Sequence, residues 1–158
     1  MVVFIVLIFI FPMVYQSQRY DTVAQSYVSS ITDDFIDNIC ETGELTANDY
    51  TNFISALNKS GNLYDVNLTV KEMSITKTAE DTITSSEKQF TNDMIIKQLF
   101  STSVADDKQN VMRIGSGSYV NVVVKNKNKT LSARLQQVFY ATVVDNPTIY
   151  VTDGGVVR

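Results

Sequence analysis

The first fifteen residues of the chain, Met1 to Tyr15, contain no charged side chain, and only Pro12 interrupts their apolar character. No later segment resembles this run. As a helix rising about 1.5 Å per residue, it reaches about 22 Å, which is less than the roughly 30 Å hydrocarbon core of a bilayer. A segment of this kind belongs in lipid, in a protein interior or against another subunit, and this requirement constrains the fold.

Three interpretations of the apolar run remain open. A secretory signal peptide would carry a basic residue before the run and a small-residue cleavage site after it, but the first basic residue is Arg19. A buried core strand or core helix is equally apolar. The third interpretation is a membrane-inserted helix that continues as an amphipathic one, and the next twenty-five residues favour it.

After Arg19, apolar residues recur at steps of three and four, which is typical of one helical stripe. Neither Gly nor Pro occurs between Met13 and Thr42, and Gly43 follows where a helix end is expected. We therefore predict one helix of roughly 60 Å from Met1 to about Cys40, with a flexible point at Pro12. The stripe expected to pack on the rest of the protein comprises Val23, Tyr27, Val28, Ile31, Phe35 and Ile39.

The predicted fold class is α+β: a long hydrophobic and amphipathic N-terminal helix, residues 1–42, packed on a small antiparallel sheet with short helices in a domain of residues 43–158. Thr46 and Asp49 resemble a capping box at the start of a second helix. Alternating apolar residues predict a strand from Tyr64 to Val70, and the pattern is compatible with its continuation through Met73 and Ile75.

The remaining elements follow from shorter patterns. We predict an exposed loop over Thr76–Thr91, followed by a short helix that is capped by Thr91 and buries Met94, Ile95, Leu99 and Phe100. A polar turn is predicted over Asp106–Asn110, strands over Val111–Ile114 and Tyr119–Lys125 with a bulge or turn at Gly115-Ser116-Gly117 between them, and a turn or hairpin tip at Asn126–Lys129. The pattern over Leu131–Phe139 fits a short helix as well as a strand, with the helix favoured, and a terminal hairpin is predicted to turn at Asp153-Gly154.

The composition excludes most catalytic chemistry. The chain has no His and a single Cys, so His-based triads, His metal ligands, disulfides within the chain and Cys-rich metal clusters are ruled out. Asp33 and Asp37 lie one helical turn apart, but neither they nor Asp106 and Asp107 have the spacing of a calcium loop. We expect a protein without catalytic residues, metal or cofactor, in which Cys40 is a buried thiol.

Charge is distributed unevenly along the chain. Residues 1–108 contain seven Lys and Arg against fifteen Asp and Glu, whereas residues 109–158 contain six against two. The two halves can therefore attract each other within a domain or between subunits, although a solvated surface explains the same asymmetry. Lys125, Lys127 and Lys129 are candidate surface contacts, for example with a phosphate backbone or an anionic wall polymer, but nucleic acid is not an expected partner because the net charge is negative.

The segment Ile10-Phe11-Pro12-Met13-Val14-Tyr15-Gln16, followed by Asp21-Thr22-Val23-Ala24, resembles the membrane-exit region of small pilin-like proteins from Gram-positive pilus and conjugation loci. The whole layout is similar to that of type IV pilin-like proteins, which include pseudopilins and the minor pilins associated with Tad or Flp systems. The resemblance covers the first forty residues. It implies a structural subunit, with a membrane, other pilin-like subunits and an assembly machinery as partners.

Two departures refine what the resemblance implies. Type IV pilins usually carry Glu at the fifth mature position, whereas the fifth residue here is Ile5, which is more compatible with a tip or accessory subunit than with a major pilin. A Lys-Gly or Arg-Gly leader junction is not seen, so either the numbering begins inside a longer precursor or processing differs. The proposed membrane and assembly residues are Val2, Phe4, Ile5, Leu7, Ile8, Phe11, Pro12 and Val14.

These patterns favour two functions over a third class, an envelope enzyme that uses paired carboxylates, because no carboxylate pair stands out. The first is a subunit of a surface pilus or secretion filament, located in the cell membrane with an exported C-terminal domain or in the filament itself. The alternative is a membrane-tethered extracytoplasmic binding or sensor module, in which the Thr76–Thr91 segment or the three lysines contact a ligand.

Overall fold

The computed structural model of the chain describes residues 2–77, 83–101, 111–140 and 149–158. The fold is α+β with a long N-terminal helix and two small antiparallel sheets, which confirms the predicted fold class at this level. The helices are α1 (Val2–Thr42), α2 (Ala47–Asn58), α3 (Asn92–Leu99) and α4 (Leu131–Tyr140). The strands are β1 (Glu44–Thr46), β2 (Tyr64–Lys77), β3 (Ile83–Phe90), β4 (Val111–Arg113), β5 (Tyr119–Asn126) and β6 (Tyr150–Val156).

The larger sheet has the strand order β3-β2-β5-β6, and every neighbouring pair is antiparallel. β2 is longer than its neighbours and changes partners along its length. It pairs with β5 over Tyr64–Lys71 and with β3 over Val70–Lys77. The ribbon formed by β2 and β3 therefore extends past the start of β5. The second sheet is the antiparallel pair of β1 and β4.

One face of the larger sheet forms the core. Val120, Val122 and Val124 of β5 are fully buried, as the alternation of the sequence predicts, and Leu68 and Val70 of β2 lie opposite them. The other face of these strands points to solvent, because successive side chains of a strand alternate between the two faces. This one-sided burial explains why β2 and β5 were recognisable from sequence.

The C-terminal half of α1 is part of this core. Val28, Phe35 and Ile39 of the predicted stripe are buried, and Ile31 is partly buried against the cluster. The ring of Phe35 stacks on that of Phe53 in α2, with 4.2 Å between centroids and 6° between planes.

Two members of the predicted stripe lie elsewhere. Val23 is exposed, and Tyr27 is exposed as well, although its hydroxyl donates to Ala56 O of α2 at 3.3 Å; neither belongs to the core. The buried face of α1 instead includes Thr32, Ile36 and Cys40.

Local sequence signals define the ends of the first two helices. α1 ends at Thr42 and is followed by Gly43, whose φ of 66° is the left-handed conformation that glycine adopts without strain. The predicted capping box at α2 is confirmed: the Thr46 hydroxyl accepts a hydrogen bond from the Asp49 amide at 3.0 Å, and the Asp49 carboxylate accepts one from the Thr46 amide at 3.3 Å. Such a cap stabilises a helix start by about 1 kcal/mol.

The predicted loop over Thr76–Thr91 is wrong for the residues that are described. β2 continues to Lys77, and β3 occupies Ile83–Phe90. Ser86, Glu87, Lys88 and Gln89 are all exposed, so these positions show no hydrophobic alternation. The strand is held by its main-chain pairing with β2, by the ion pair of Glu87 with Lys71 at 3.3 Å, and by Phe90, which packs against the core.

The predicted terminal hairpin is also wrong, because β6 runs without a turn from Tyr150 to Val156. Gly154 does not adopt a positive φ, unlike Gly117 of the predicted turn before β5, whose φ is 85°. The two central glycines of β6 serve close packing instead. A Cβ on Gly155 would lie 2.6 Å from Cys40 Sγ, and one on Gly154 would lie 2.6 Å from the Tyr119 hydroxyl.

The other short elements follow the sequence with two corrections. The predicted helices at α3 and α4 and the strands at β4 and β5 are confirmed, with small differences at their ends. Thr91 is at the N-cap position of α3 as predicted, but its side chain makes no capping hydrogen bond. In α3, Ile95 and Leu99 are buried as expected, but Met94 and Phe100 are exposed. The predicted turn over Asp106–Asn110 lies outside the described residues.

Candidate functional site

The outer half of α1, defined here as Val2–Tyr27, is the strongest candidate for a functional surface. Several large apolar side chains on it are exposed, including Ile8 at 66%, Tyr20 at 72% and Val23 at 66% of their full accessibility. Met13 and Tyr15 are exposed as well. Contiguous exposed apolar side chains of this size mark interaction sites in soluble and membrane-associated proteins.

The exposed side chains have a regular spacing. Met13, Tyr20, Val23 and Tyr27 are separated by seven, three and four residues, which is the 3.5-residue period of a seam between helices. The seam ends after Tyr27, because the next two positions of the same repeat are the exposed polar residues Ser30 and Asp34. The surface is therefore suited to a helical partner up to Tyr27 and to solvent beyond it.

The opposite side of this helix segment is fixed to α4 by buried polar contacts. Asp21 Oδ2 accepts hydrogen bonds from the hydroxyls of Thr130, at 2.9 Å, and Ser132. The Thr130 hydroxyl also accepts the Ala133 amide at 3.3 Å and so caps the start of α4. Since Thr130 and Ser132 are buried, this triad orients the outer half of α1 relative to the domain.

The proposed membrane and assembly residues all lie within α1, and this helix continues through Pro12 without interruption. Among them, Ile8 and Pro12 are exposed, and the side chains of the other six are not part of the description. Arg19 ends the uncharged stretch; its guanidinium donates to the Tyr15 hydroxyl at 3.3 Å and lies over the same ring. Within the described part of the chain, no helix is both long enough and apolar enough to cross a membrane.

The three lysines proposed as surface contacts are exposed, but they do not sit on a hairpin tip. Residues 127–130 connect β5 to α4. Lys125 lies over the Tyr150 ring, Lys127 pairs with Asp65 at 3.4 Å, and Lys129 donates to Gln137 at 3.2 Å. The lysines therefore contact the protein's own surface and are spread over different neighbours.

The intervening asparagines, which sequence reasoning did not single out, have the structural role in this connection. Asn128 Oδ1 accepts the Leu63 amide at 2.8 Å, and its Nδ2 donates to Asn62 at 3.0 Å. Asn126 accepts the Ile149 amide at 3.0 Å through its side chain. Asn at alternate positions of a polar segment is the signal that would have pointed to these turn contacts.

The acidic positions of α1 meet one more carboxylate from the sheet. Burial raises the pKa of Asp33 above its ordinary value of 3.8, and the charges of Asp153, Asp34 and Asp37 raise it further. No group of three or more potential metal ligands is found among the described residues. The arrangement is a region of like-charge repulsion between α1 and β6.

Cys40 is a buried thiol, as predicted. Burial raises its pKa, and Asp37 and Asp153 add to the effect, whereas Arg158 opposes it. A raised pKa keeps the sulfur in the protonated, weakly nucleophilic form. Its position against Gly155 gives it a packing role between α1 and β6.

Two open grooves lie on the domain. One is lined mainly by Asp65, Asn67 and Thr69 of β2 and by Gln89 and residues 91–93; there Asn92 Oδ1 accepts the Leu68 amide at 3.3 Å. The other, of about 590 Å³, lies between α1 and β6. Both are lined mainly by polar side chains.

Comparison with known proteins adds no relative. No protein-family model matches the chain, and neither the curated proteins nor the solved structures contain a significant match.

Proposed function

We propose that the protein is a structural subunit, similar to a minor pilin or pseudopilin, of a cell-surface pilus or of a secretion or conjugation filament. Its apolar helix start is held in the membrane and later packs among the helices of other subunits, while the α+β domain is displayed outside. The proposal includes no catalytic activity and no cofactor.

One observation carries this proposal: the outer half of α1 presents large apolar side chains that the described part of the domain does not cover. Ile8, Tyr20 and Val23 are about two-thirds exposed or more. Leaving such side chains in water costs about 1.5–3 kcal/mol each relative to full burial, so a partner surface or lipid is favoured.

The charge-free run from Met1 to Tyr15 supports the same conclusion. Lipid and the interior of a helix bundle both accept an uncharged helix, so transfer from one to the other requires no charge burial. The domain beyond Tyr27 has its own core, which lets the subunit keep its fold in either location.

Replacement of Ile8 by Asp tests the proposal. We expect Ile8→Asp to lose membrane retention and filament incorporation, because a carboxylate in lipid or in a helix bundle costs several kcal/mol. Gln18→Asp adds the same charge to an exposed position of α1 beyond the apolar run and serves as the matched control.

Cell fractionation and electron microscopy of sheared surface material, with an antibody to this chain, measure the two outcomes. Normal fractionation and normal assembly of Ile8→Asp would contradict the proposal. Loss of membrane retention without any filament in the unmodified strain would favour the tethered binding module instead.

A further inference from the structure

Four basic side chains follow one another at one end of the domain. Lys125, Lys127 and Lys129 lie at the end of β5 and in its connection to α4, and Arg134 lies in α4. All four are exposed. Residues 109–144 contain no Asp or Glu, so this segment itself carries the charge. We call these four residues the basic end.

Carboxylates near the basic end do not neutralise it. Asp65 pairs with Lys127 at 3.4 Å, but the two side chains remain 62% and 63% exposed, so the pair is weak. Asp93 shares a groove with Asp65, and Asp21 accepts hydrogen bonds from two buried hydroxyls at the start of α4. Even with all three carboxylates counted, the four cations leave exposed positive charge.

The basic end lies on the side of the domain from which the apolar run of α1 emerges. Lys129 directly precedes Thr130, whose hydroxyl donates to Asp21 at 2.9 Å, so the lysines lie at the level of Asp21. The acidic positions of α1 that meet β6 begin at Asp33, about 18 Å further from the apolar run. That distance is about twice the Debye length at physiological salt, so these acids hardly weaken the field of the basic end.

α1 has residues typical of a membrane interface just before this level. Arg19 is the first charged side chain, its guanidinium donates to the Tyr15 hydroxyl at 3.3 Å, and Tyr20 is 72% exposed. Such side chains concentrate where a chain passes from hydrocarbon to headgroups, because they combine an apolar body with a hydrated tip. From Tyr15 to Asp21 the helix rises about 9 Å, and one headgroup layer is roughly 5–8 Å thick. If the hydrocarbon ends at Tyr15, the lysines lie at the outer edge of the headgroups.

An exposed apolar side chain lies beside the lysines. Leu63 is 63% exposed; its carbonyl accepts the Lys127 amide at 2.7 Å, and its amide donates to Asn128 Oδ1 at 2.8 Å. These two hydrogen bonds fix Leu63 next to the basic end. Apolar burial together with attraction to anionic headgroups is the combination that holds a protein surface on a membrane. A soluble polyanion would leave Leu63 in water.

We propose that the basic end docks on an anionic phospholipid surface, with Leu63 inserted among the headgroups. Each Lys or Arg near such a surface strengthens docking about fivefold, so three lysines contribute about a hundredfold. The contact deepens the proposed function and rests on it for the place of α1 in the membrane. It names the lipid class and sets the orientation of the domain on the membrane before assembly.

A single fluorescent reporter tests the docking. The chain has no Trp, so Leu63→Trp gives one reporter at an exposed position. The full chain is reconstituted in phosphatidylcholine vesicles, with or without phosphatidylglycerol, that contain a lipid spin-labelled at its headgroup. We expect strong quenching of the tryptophan only with phosphatidylglycerol, and its loss at high salt because the attraction is screened. Equal quenching with and without phosphatidylglycerol would overturn the proposal.

Charge variants of the reporter chain test whether the lysines are responsible. The test variant has Gln in place of Lys125, Lys127 and Lys129. The matched control has Gln in place of three exposed lysines elsewhere, Lys71, Lys88 and Lys97. Circular dichroism verifies that both variants fold. We expect the test variant to shift the docking equilibrium about a hundredfold towards the undocked state and the control to dock normally; normal docking of the test variant, or equal loss in both, would overturn the proposal.

Two further results identify the partner and separate the docking from the proposed function. A response of the reporter to inorganic polyphosphate, without one to phosphatidylglycerol, would mean that the lysines bind a soluble polyanion and that the proposal is wrong. If the reporter ignores phosphatidylglycerol but Ile8→Asp loses retention and assembly, the docking is wrong and the subunit function stands. If docking requires phosphatidylglycerol and the lysines but Ile8→Asp is retained and assembles normally, the docking stands and the subunit function is wrong.

Discussion

At the scale of single residues, Gly155 determines how closely α1 approaches the sheet. A Cβ at this position would lie 2.6 Å from Cys40 Sγ and 3.4 Å from Ile36 Cγ2. We expect Gly155→Ala to lower the free energy of unfolding by about 1–3 kcal/mol, the usual cost of overpacking a core. Chemical denaturation in a nonionic detergent, followed by tyrosine fluorescence because the chain has no Trp, measures the change.

A second substitution identifies the cause of that loss. Cys40→Ala removes the sulfur that the new methyl group meets, so the double variant should lose less stability than the two single variants added together. Gly115→Ala is the matched control, since its Cβ would have an ordinary contact of 3.8 Å with Ser118 Oγ and should change stability by less than about 0.5 kcal/mol. Strict additivity of the Gly155 and Cys40 changes would contradict the packing explanation.

Asp33 makes the protein more stable at mildly acidic pH. Because burial and three neighbouring carboxylates raise its pKa in the folded state, the folded protein binds the proton more tightly than the unfolded chain. The associated stability is fully present below 3.8 and is lost as the pH rises through the raised folded-state pKa. Asp33→Asn should therefore increase stability at pH 7 and flatten the decline above 3.8.

Asp93→Asn provides the contrast for Asp33→Asn. It makes the same change in charge in the first turn of α3, where a carboxylate interacts favourably with the helix N-terminus, so stability at pH 7 should fall by about 0.3–1 kcal/mol. Denaturation curves from pH 3 to pH 8 compare the two variants. Equal responses of Asp33→Asn and Asp93→Asn would show that net charge, rather than local repulsion, is responsible.

At the scale of elements, the contact between α1 and α4 depends on one carboxylate. Asp21→Ala leaves the buried hydroxyls of Thr130 and Ser132 without their acceptor, which should cost about 2–3 kcal/mol. Hydrogen exchange should accelerate in α4 and remain slow in β5. The control is Thr22→Ala, which removes only a hydrogen bond from the Thr22 hydroxyl to Gln18 O within α1 and should leave exchange in α4 and β5 unchanged. If α4 exchanged equally fast in the Asp21→Ala variant and in the unmodified protein, the role of Asp21 would be disproved.

The connection between β5 and α4 shows which polar residues matter for stability. Asn128→Ala removes the acceptor of the Leu63 amide and the partner of Asn62, with an expected loss of about 1–3 kcal/mol. Lys127→Ala removes an exposed ion pair with Asp65 and should cost less than about 1 kcal/mol. Thermal melts of the two variants compare their stabilities. A larger loss of stability for Lys127→Ala than for Asn128→Ala would contradict this prediction.

The elements that were predictable from sequence are those in which a local pattern coincides with the observed burial. α2 has a capping box, β2 and β5 alternate between apolar and polar residues, and α1 has an uninterrupted helical stripe. β3 has no such pattern. Its composition and its exposed side chains do not indicate a strand, since the strand forms by main-chain pairing with β2.

β6 shows a different limit of sequence reasoning. Asp153-Gly154 is a strong turn signal on its own, but Gly154 and Gly155 are needed where Tyr119 and Cys40 approach from opposite faces of the sheet. Those neighbours are distant in sequence. The sequence also did not predict that Val23 and Tyr27 are exposed. The spacing of apolar residues in α1 fits two adjacent faces of the helix, and only packing against the domain determines which of the two is buried.

At the scale of the whole molecule, the proposed function assigns the inner face of α1 to folding and the outer face to assembly. Val28 on the inner face is fully buried, whereas Tyr20 and Val23 on the outer face are exposed. The double variant Tyr20→Lys with Val23→Lys should therefore keep the stability of the domain within about 1 kcal/mol, because exposed substitutions usually change it by less than 0.5 kcal/mol each.

The same double variant should fail to enter filaments, because two lysines would have to be buried between helices. Val28→Lys is the counterpart: it should unfold the domain, since a charge would enter the core. Melting of the purified proteins in detergent and the filament yield from cells measure the two effects separately. If the two faces have separate roles, the double lysine variant should fold but fail to assemble. A normal filament yield from this variant would show that the outer face of α1 is not the assembly surface.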